Sequence, residues 1–159
     1  MSERIETAAL RDFSVSLCRA AGLSADDAAL LTDSILFAEC RGVTSHGLLR
    51  LPQYIARLRS GATASNVPMP FTMESGGTAR LDAQNGLGQL AGRKASDKAE
   101  ELAAEYGVSF VAVANSNHFG TGAWYAIPAA RRGFFAFNIS SAASAMAPHG
   151  AAQPLLGTD

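Results

Sequence analysis

Little in this chain of 159 residues suits it to disulfide pairing, metal binding, nucleic-acid binding or membrane insertion. It has two cysteines, Cys18 and Cys40, in helix-like patterns and without CxxC spacing. That spacing excludes the usual zinc and thioredoxin-like signatures and favours reduced, buried thiols over a disulfide. An excess of positive charge is missing too. The 13 Lys and Arg stand against 14 Asp and Glu and are scattered, so no basic stripe exists for a phosphate backbone and nucleic acid is not an expected partner. No apolar run approaches membrane-spanning length, and the opening MSERIETAAL has neither a basic n-region nor an apolar core. A soluble, cytoplasmic protein without a membrane partner is the expectation. Neither GxxxxGK[ST] nor HExxH occurs, which leaves a P-loop kinase and a zincin without support. What the chain has in quantity is apolar side chains, 48% of the total. That is enough for a real core in one domain, or one domain with a helical arm.

The apolar period changes along the chain. Leu10, Phe13 and Leu17 form one helical stripe ended by Gly22. Ser24, followed by Asp26 and Asp27, reads as the N-cap and acidic first turn of a second helix with Ala28, Leu31, Ile35 and Ala38 inside. Leu48, Leu51, Ile55 and Leu58 make a third stripe up to Gly61, in which Pro52 either kinks the helix or begins its second part. After the loop SNVPMP, FTMESGG and TARLDAQ read as a hairpin turning at Gly76 and Gly77. Leu87, Ala91, Ala95, Leu102 and Tyr106 mark a long helix ending at Gly107. VSFVAVANS reads as a strand, TGAWYAIPAARRG as a helix and FFAFNIS as a further strand. Helices first, then alternating strands and helices, predict a layered α/β or α+β core.

Two stretches are candidates for chemistry. GLGQLA, residues 86–91, matches the G-x-G-x-x-G/A dinucleotide fingerprint. After VSFVAVA, however, Asn115 and Ser116 stand where the fingerprint wants a ribose-binding acid, and Arg80 and Asp82 interrupt TARLDA, which argues against a buried parallel strand. The glycines then serve a tight turn and close helix packing. TSHGLLRLPQYIARLRSG, residues 44–61, is richer. Wound as one helix from His46, it places His46, Arg50 and Tyr54 at i, i+4 and i+8 on one face. Arg offers a planar fork for a carboxylate, His a proton near neutral pH, and Tyr a hydrogen bond; an ordinary solvated polar face has the same pattern. Ser45 and His46 as nucleophile and base of a hydrolase is a fainter alternative, since adjacent residues rarely adopt that geometry. His118, in AVANSNHFGTGAW, is a candidate acid/base or a simple helix cap, and His149, in MAPHGA, reads as a loop residue without a role.

RGVTSHGLLRLPQYIARLRSG, NSNHFGTGAWYAIPAARRGFFAFNIS, AMAPHGA and LLGTD resemble, in order, four blocks of the malate/L-lactate dehydrogenase family. That family includes ureidoglycolate and sulfolactate dehydrogenases and piperideine-2-carboxylate reductases. The resemblance extends over essentially the whole chain and implies an N-terminal half, since the family usually continues GTNP where Asp159 stands here. It implies an N-terminal helical region over residues 1–65 carrying substrate contacts. From residue 66 to 159 it implies the truncated start of a nicotinamide-binding α/β domain with a mainly antiparallel, non-Rossmann sheet covered by helices. A homodimer sharing its site, NAD or NADP as cofactor, and a small 2-hydroxy or 2-oxo acid as substrate are implied with it. Residue by residue, His118 matches the family's proposed proton acceptor from the substrate hydroxyl, and Phe119, Gly120, Thr121 and Gly122 beside it approach the cofactor. Arg50 matches the arginine that holds the substrate carboxylate, with Tyr54 near it. Ser45 and His46 match a Ser-His pair that, in the reductase branch, forms a relay with a later aspartate. For hydroxy-acid oxidation the expectation is His118 as acid/base and His46 as substrate contact. A cyclic imino-acid reductase, a non-catalytic nucleotide-binding module and a dimerisation fragment are the alternatives. Ser144-Ala145 and Gly150-Ala151 depart from the Ser-Pro and Gly-Gly that family members often carry around the MAP block.

Overall fold

Ser24 starts the helix around which the N-terminal part is built: its Oγ accepts the Asp27 N–H at 3.1 Å, and Asp26 and Asp27 complement the positive end of the helix dipole. The computed structural model describes residues 4–142 and 144–157; Asp159, with its departure from GTNP, lies outside them. In chain order come α1 (Thr7–Ala20), α2 (Ala25–Glu39), two 3₁₀ turns (Thr44–His46 and Leu48–Arg50), α3 (Leu51–Arg59), β1 (Phe71–Ser75), β2 (Thr78–Asp82), α4 (Gly88–Tyr106), β3 (Phe110–Ala114) and α5 (Ala123–Arg131).

The helical core follows the stripe read in α2: Ala28, Leu31, Ile35 and Ala38 are all buried, and Cys18, Leu23, Leu51, Tyr54, Leu58 and Leu87 pack with that face. Fully burying a leucine or isoleucine contributes about 1.5–3 kcal/mol. In α1 the inner face is rotated from the stripe read in the sequence. Ser14 and Cys18 are buried while Phe13 is exposed. The small residues win because α1 lies against α2: Cys18 Sγ is 3.9 Å from Thr32 Oγ1 of α2, and Arg11 grips Asp33 of α2 with two hydrogen bonds of 2.6 and 3.0 Å. Cys40 is exposed, against the expectation of two buried thiols; both cysteines are free.

The sheet runs β1-β2-β3, with β1 and β2 antiparallel and β2 and β3 parallel. It is therefore mixed rather than mainly antiparallel. The hairpin turns at Gly76 and Gly77 as read. TARLDA does supply a parallel-paired central strand despite Arg80 and Asp82, because only one face of the sheet is covered: Ala79 and Leu81 are buried under α4 while Arg80 is exposed. Met69, Leu81, Ala83, Ala91 and Ala95 form this second core. Helix α4 is the crossover between the parallel strands and ends at Gly107, whose φ of +82° suits glycine. Tyr106, read as part of its inner stripe, is exposed.

Residues 134–140, read as a strand, form none among the described residues. Their alternation is real, but Phe135, Phe137 and Ile139 are exposed at 94, 78 and 72%. A strand exists only with a ladder partner, and this segment has none among the described residues.

Candidate active site

His46, Arg50 and Tyr54 do not lie on one continuous helix. Gly47, with φ −91° and ψ −143°, separates two 3₁₀ turns, and Pro52 sits in the first turn of α3, where its missing N–H leaves no unpaired donor. Gly47 is needed where it stands: a Cβ there would overlap the Glu39 carboxylate, which accepts the Leu48 N–H at 2.8 Å. The broken path still brings the three side chains to one place. Tyr54 points inward, 4% exposed, rather than standing on a solvated face.

His118 reaches the same place from the loop between β3 and α5. Asn115, at φ +53°, turns the chain out of β3, and its side-chain amide donates to Asp82 at 2.9 Å, which holds that carboxyl below its usual range. Asn117 donates to Asn85 O and Gly86 O at 2.9 and 3.0 Å. Arg57 of α3 donates to Asn117 Oδ1 at 2.8 Å, to Thr63 Oγ1 at 3.0 Å and to Ala62 O at 3.1 Å. These contacts tie the helical part to the loop that carries His118. Of the glycines of GLGQLA, Gly88 serves this packing, since a Cβ there would lie 2.6 Å from His118 O and closer still to Asn117 O, while Gly86 admits Met69 and Val67, whose atoms would lie 2.5 and 2.7 Å from its Cβ. The start of α4 is thus covered by chain, as the packing explanation of these glycines requires.

The geometry around His118 is specific. Its Nδ1 lies 2.7 Å from Tyr54 Oη, and Tyr54 Oη accepts from Gln89 Nε2, also at 2.7 Å. The Gly120 N–H reaches the same Nδ1 at 3.4 Å. The His46 ring stacks on His118, centroids 5.3 Å apart. Desolvation pushes the His118 pKa down, and the charges of Arg50 and His46 push it further the same way, so the ring is neutral at physiological pH. Burial raises the Tyr54 pKa, against the Gln89 hydrogen bond and the Arg50 charge, which keeps the hydroxyl protonated. Arg50 donates through Nε to Ser45 O at 2.7 Å and through Nη1 to Gln53 Oε1 at 3.1 Å, and it forms no ion pair among the described residues.

Arg50, Gln53, Tyr54, Arg57, Asn117 and His118 line a cavity of about 250 Å³. An unpaired guanidinium and a neutral imidazole facing one cavity can bind an anion and exchange a proton with it. Ser45 and His46 do touch, Oγ to Nδ1 3.0 Å, but Ser45 is exposed and does not line the cavity. Beyond His118, Phe119 stacks on Tyr125 at 5.4 Å and its carbonyl accepts the Tyr125 hydroxyl. Gly120 is buried at φ +82°, and Thr121 and Gly122 lead into α5. His149 lies exposed in a turn. No cluster of three metal-ligating side chains exists among the described residues.

Residues 5–159 match the family profile of malate/L-lactate dehydrogenase. The chain belongs to the malate/L-lactate dehydrogenase family. Among relatives, this family member is 34% identical over 156 residues to a malate dehydrogenase of Pyrococcus abyssi, covering 98% of this chain and 43% of that one. It is 37% identical over 138 residues to the L-sulfolactate dehydrogenase of Methanocaldococcus jannaschii, covering 87% and 40%. A solved dehydrogenase of Sinorhizobium meliloti superposes with a TM-score of 0.89 at 33% identity, covering 98% and 46%. The chain therefore spans less than half the length of these relatives.

Gln89, Arg57, Asn117 and Gln53 escaped the sequence reading. Gln89 carried the clearest available signal, a polar residue beside the apolar positions 87, 90 and 91 at a helix start.

Proposed function

We propose that this chain supplies the substrate-binding and proton-transfer part of a nicotinamide-dependent oxidoreductase. It would move a hydride between NAD or NADP and a small 2-hydroxy or 2-oxo acid of the malate and lactate type. The observation that carries this is the convergence of Arg50, Tyr54 and His118 on one cavity, with the histidine's pKa pushed down and the arginine free of carboxylate partners among the described residues. On this reading residues 1–65 are the helical region contributing substrate contacts and residues 66–159 the start of the nicotinamide-binding part, and the enzyme works as a homodimer.

At Gly122 the residues fit such a cofactor: among the described residues only Asn138 Cβ lies within 4 Å of its open side, at 3.7 Å, which leaves room for a planar ring to approach there, whereas Gly120 packs against Ser34 and Gln89. When bound, the nicotinamide supplies the hydride acceptor or donor. Arg50 holds the substrate carboxylate and Tyr54 fixes the His118 ring. His118, with Nδ1 engaged by Tyr54, presents Nε2 to the substrate oxygen, taking its proton in oxidation and returning it in reduction. Orientation of this kind is a large share of catalysis, and a displacement of about 1 Å can cost about 100-fold in rate.

The Ser45–His46 contact favours a second reading. A hydroxyl 3.0 Å from an imidazole is the start of a proton relay, which suits reduction of a cyclic imino acid with His46 as the acid.

The test is a fluorescence titration of NADH and NADPH into protein containing these 159 residues, then turnover with a panel of 2-oxo acids and a cyclic imine. Saturable binding, with turnover abolished by His118→Ala at unchanged fold, supports the first reading. Wild-type rates in that variant remove His118 from the mechanism, and the same experiment on His46→Ala decides the second. A folded protein that binds neither cofactor overturns both.

A further inference from the structure

We propose that Gln89 is a positioning residue whose side-chain amide, through Tyr54, selects which ring nitrogen of His118 carries the proton. The inference rests on His118 acting as the acid/base.

Gln89 is buried, 1% exposed, near the start of α4. Its Nε2 donates to Tyr54 Oη at 2.7 Å, while its Oε1 is buried with no partner among the described residues. Leaving a buried acceptor unpaired costs about 1–3 kcal/mol, so a polar side chain held this way has an explanation to find. The hydrogen-bond chain supplies it. With Nε2 donating to Tyr54 Oη, the tyrosine's own proton is free for His118 Nδ1, 2.7 Å away. Nδ1 then accepts, as the Gly120 N–H at 3.4 Å also asks of it. A neutral ring in that state carries its proton on Nε2. It can donate a hydrogen bond to a substrate carbonyl, but it cannot take a hydroxyl proton there, and it cannot give up its own without becoming an imidazolate.

The other state needs Nδ1–H. Whether the ring is neutral or an imidazolium, Nδ1 then donates to Tyr54 Oη, and the tyrosine proton must find a different acceptor. Gln89 Oε1 becomes that acceptor after a half-turn of the amide, which exchanges two nearly isosteric ends. The acceptor orphaned in the first state is thereby paired in the second, while the amide NH2 takes the unpaired position, so each state leaves one end of the amide without a partner among the described residues. The protons balance in this second state: the neutral Nδ1–H ring takes the substrate proton on Nε2 to become an imidazolium, the imidazolium returns it in the reverse direction, no covalent bond of Gln89 changes, and Tyr54 keeps one proton throughout. The other titratable or charged groups facing this chain are His46 and Arg50 from the 3₁₀ turns, Arg57 of α3, and Tyr125 of α5. None of them lies within hydrogen-bond distance of Gln89 Oε1, which has no partner among the described residues.

The test is ¹⁵N NMR on histidine- and glutamine-labelled protein, with the three imidazoles assigned through His46→Gln and His149→Gln. In the wild type the Gln89 side-chain amide signals are expected to shift with the same pH midpoint as His118. Gln89→Glu, an acceptor when ionised, is expected to move neutral His118 toward the Nδ1–H form and to raise its midpoint by about one pH unit or more. Adding Tyr54→Phe should abolish that effect. Gln89 signals that stay flat through the His118 midpoint overturn the proposal, as does a Gln89→Glu effect that survives Tyr54→Phe at full size, which would be plain charge acting through space. None of these readouts needs cofactor or turnover. An enzyme reading that fails in the titration above is therefore distinguishable from a relay that fails here.

Discussion

Gly88→Ala tests the packing that places His118. The added Cβ would sit 2.6 Å from His118 O and nearer still to Asn117 O, whereas carbon and oxygen rest comfortably at about 3.4 Å or more. Both neighbours are backbone carbonyls, so no side chain can swing away. The loop must retreat by roughly 1 Å or α4 must shift, and overpacking of this kind costs about 1–3 kcal/mol. Retreat also loosens the Arg57–Asn117 and Tyr54–His118 contacts. Gly42→Ala is the comparison, because Gly42 has φ +74° and nothing within 4 Å of its Cβ position; it incurs only the left-handed backbone penalty of about 1–2 kcal/mol. Urea denaturation gives the two stabilities, and the ¹⁵N signals of His118 report the site. The expected result is a shifted His118 environment in Gly88→Ala alone, with stability at least as low as in Gly42→Ala. An unchanged His118 spectrum in a folded Gly88→Ala protein would refute the idea that this glycine lets the helix start seat the loop.

Arg50→Lys is expected to lower kcat/KM for carboxylate substrates about 10- to 100-fold, since a compact ammonium cannot reproduce a two-point grip; unchanged kinetics remove the assigned role. The His118 pKa is lowered in the folded protein, so between that value and the unfolded one the unfolded chain binds more protons and stability rises with pH. Stability should fall as pH drops below about 6.5, and His118→Gln should flatten that part of the profile in denaturation midpoints. Cys40 is exposed, while Cys18 is buried with its thiol pKa raised by desolvation. A thiol reagent should therefore modify Cys40 quickly and Cys18 only on unfolding, and equal rates would contradict the packing of α1 on α2.

Legibility in the sequence varied with how local the controlling physics was. The α2 stripe and its Ser24 cap could be read because burial and capping act within one helix. The hairpin was legible because two glycines mark its turn. Phe13 was misread because α1 meets α2 closely enough to prefer Ser14 and Cys18, a tertiary preference that periodicity does not carry. The path from His46 to Tyr54 was misread because Gly47 breaks it, and the reason for Gly47 is the distant Glu39 carboxylate. The side chains still converge, since Arg50 and Tyr54 flank a proline compatible with either path. TARLDA was judged by the rule for sheets covered on both faces, and this sheet is covered on one. Arg57 and Asn117 could not be read, because they are each other's partners 60 residues apart, and Gln89, though marked as a polar residue at an apolar helix start, could not be paired with Tyr54, 35 residues away.

Those long separations have a kinetic side. Tyr54 and His118 are 64 residues apart, and contacts of such span form late because the intervening chain must be ordered first. Helices α1 to α3 can gather over short loops, and the hairpin over a two-residue turn, before any histidine meets its tyrosine. A half-folded chain would thus have much of its secondary structure, and the local Ser45–His46 contact, without the Tyr54–His118 pairing. On the proposed reading, the pairing that orients His118 is therefore among the last contacts of these residues to form.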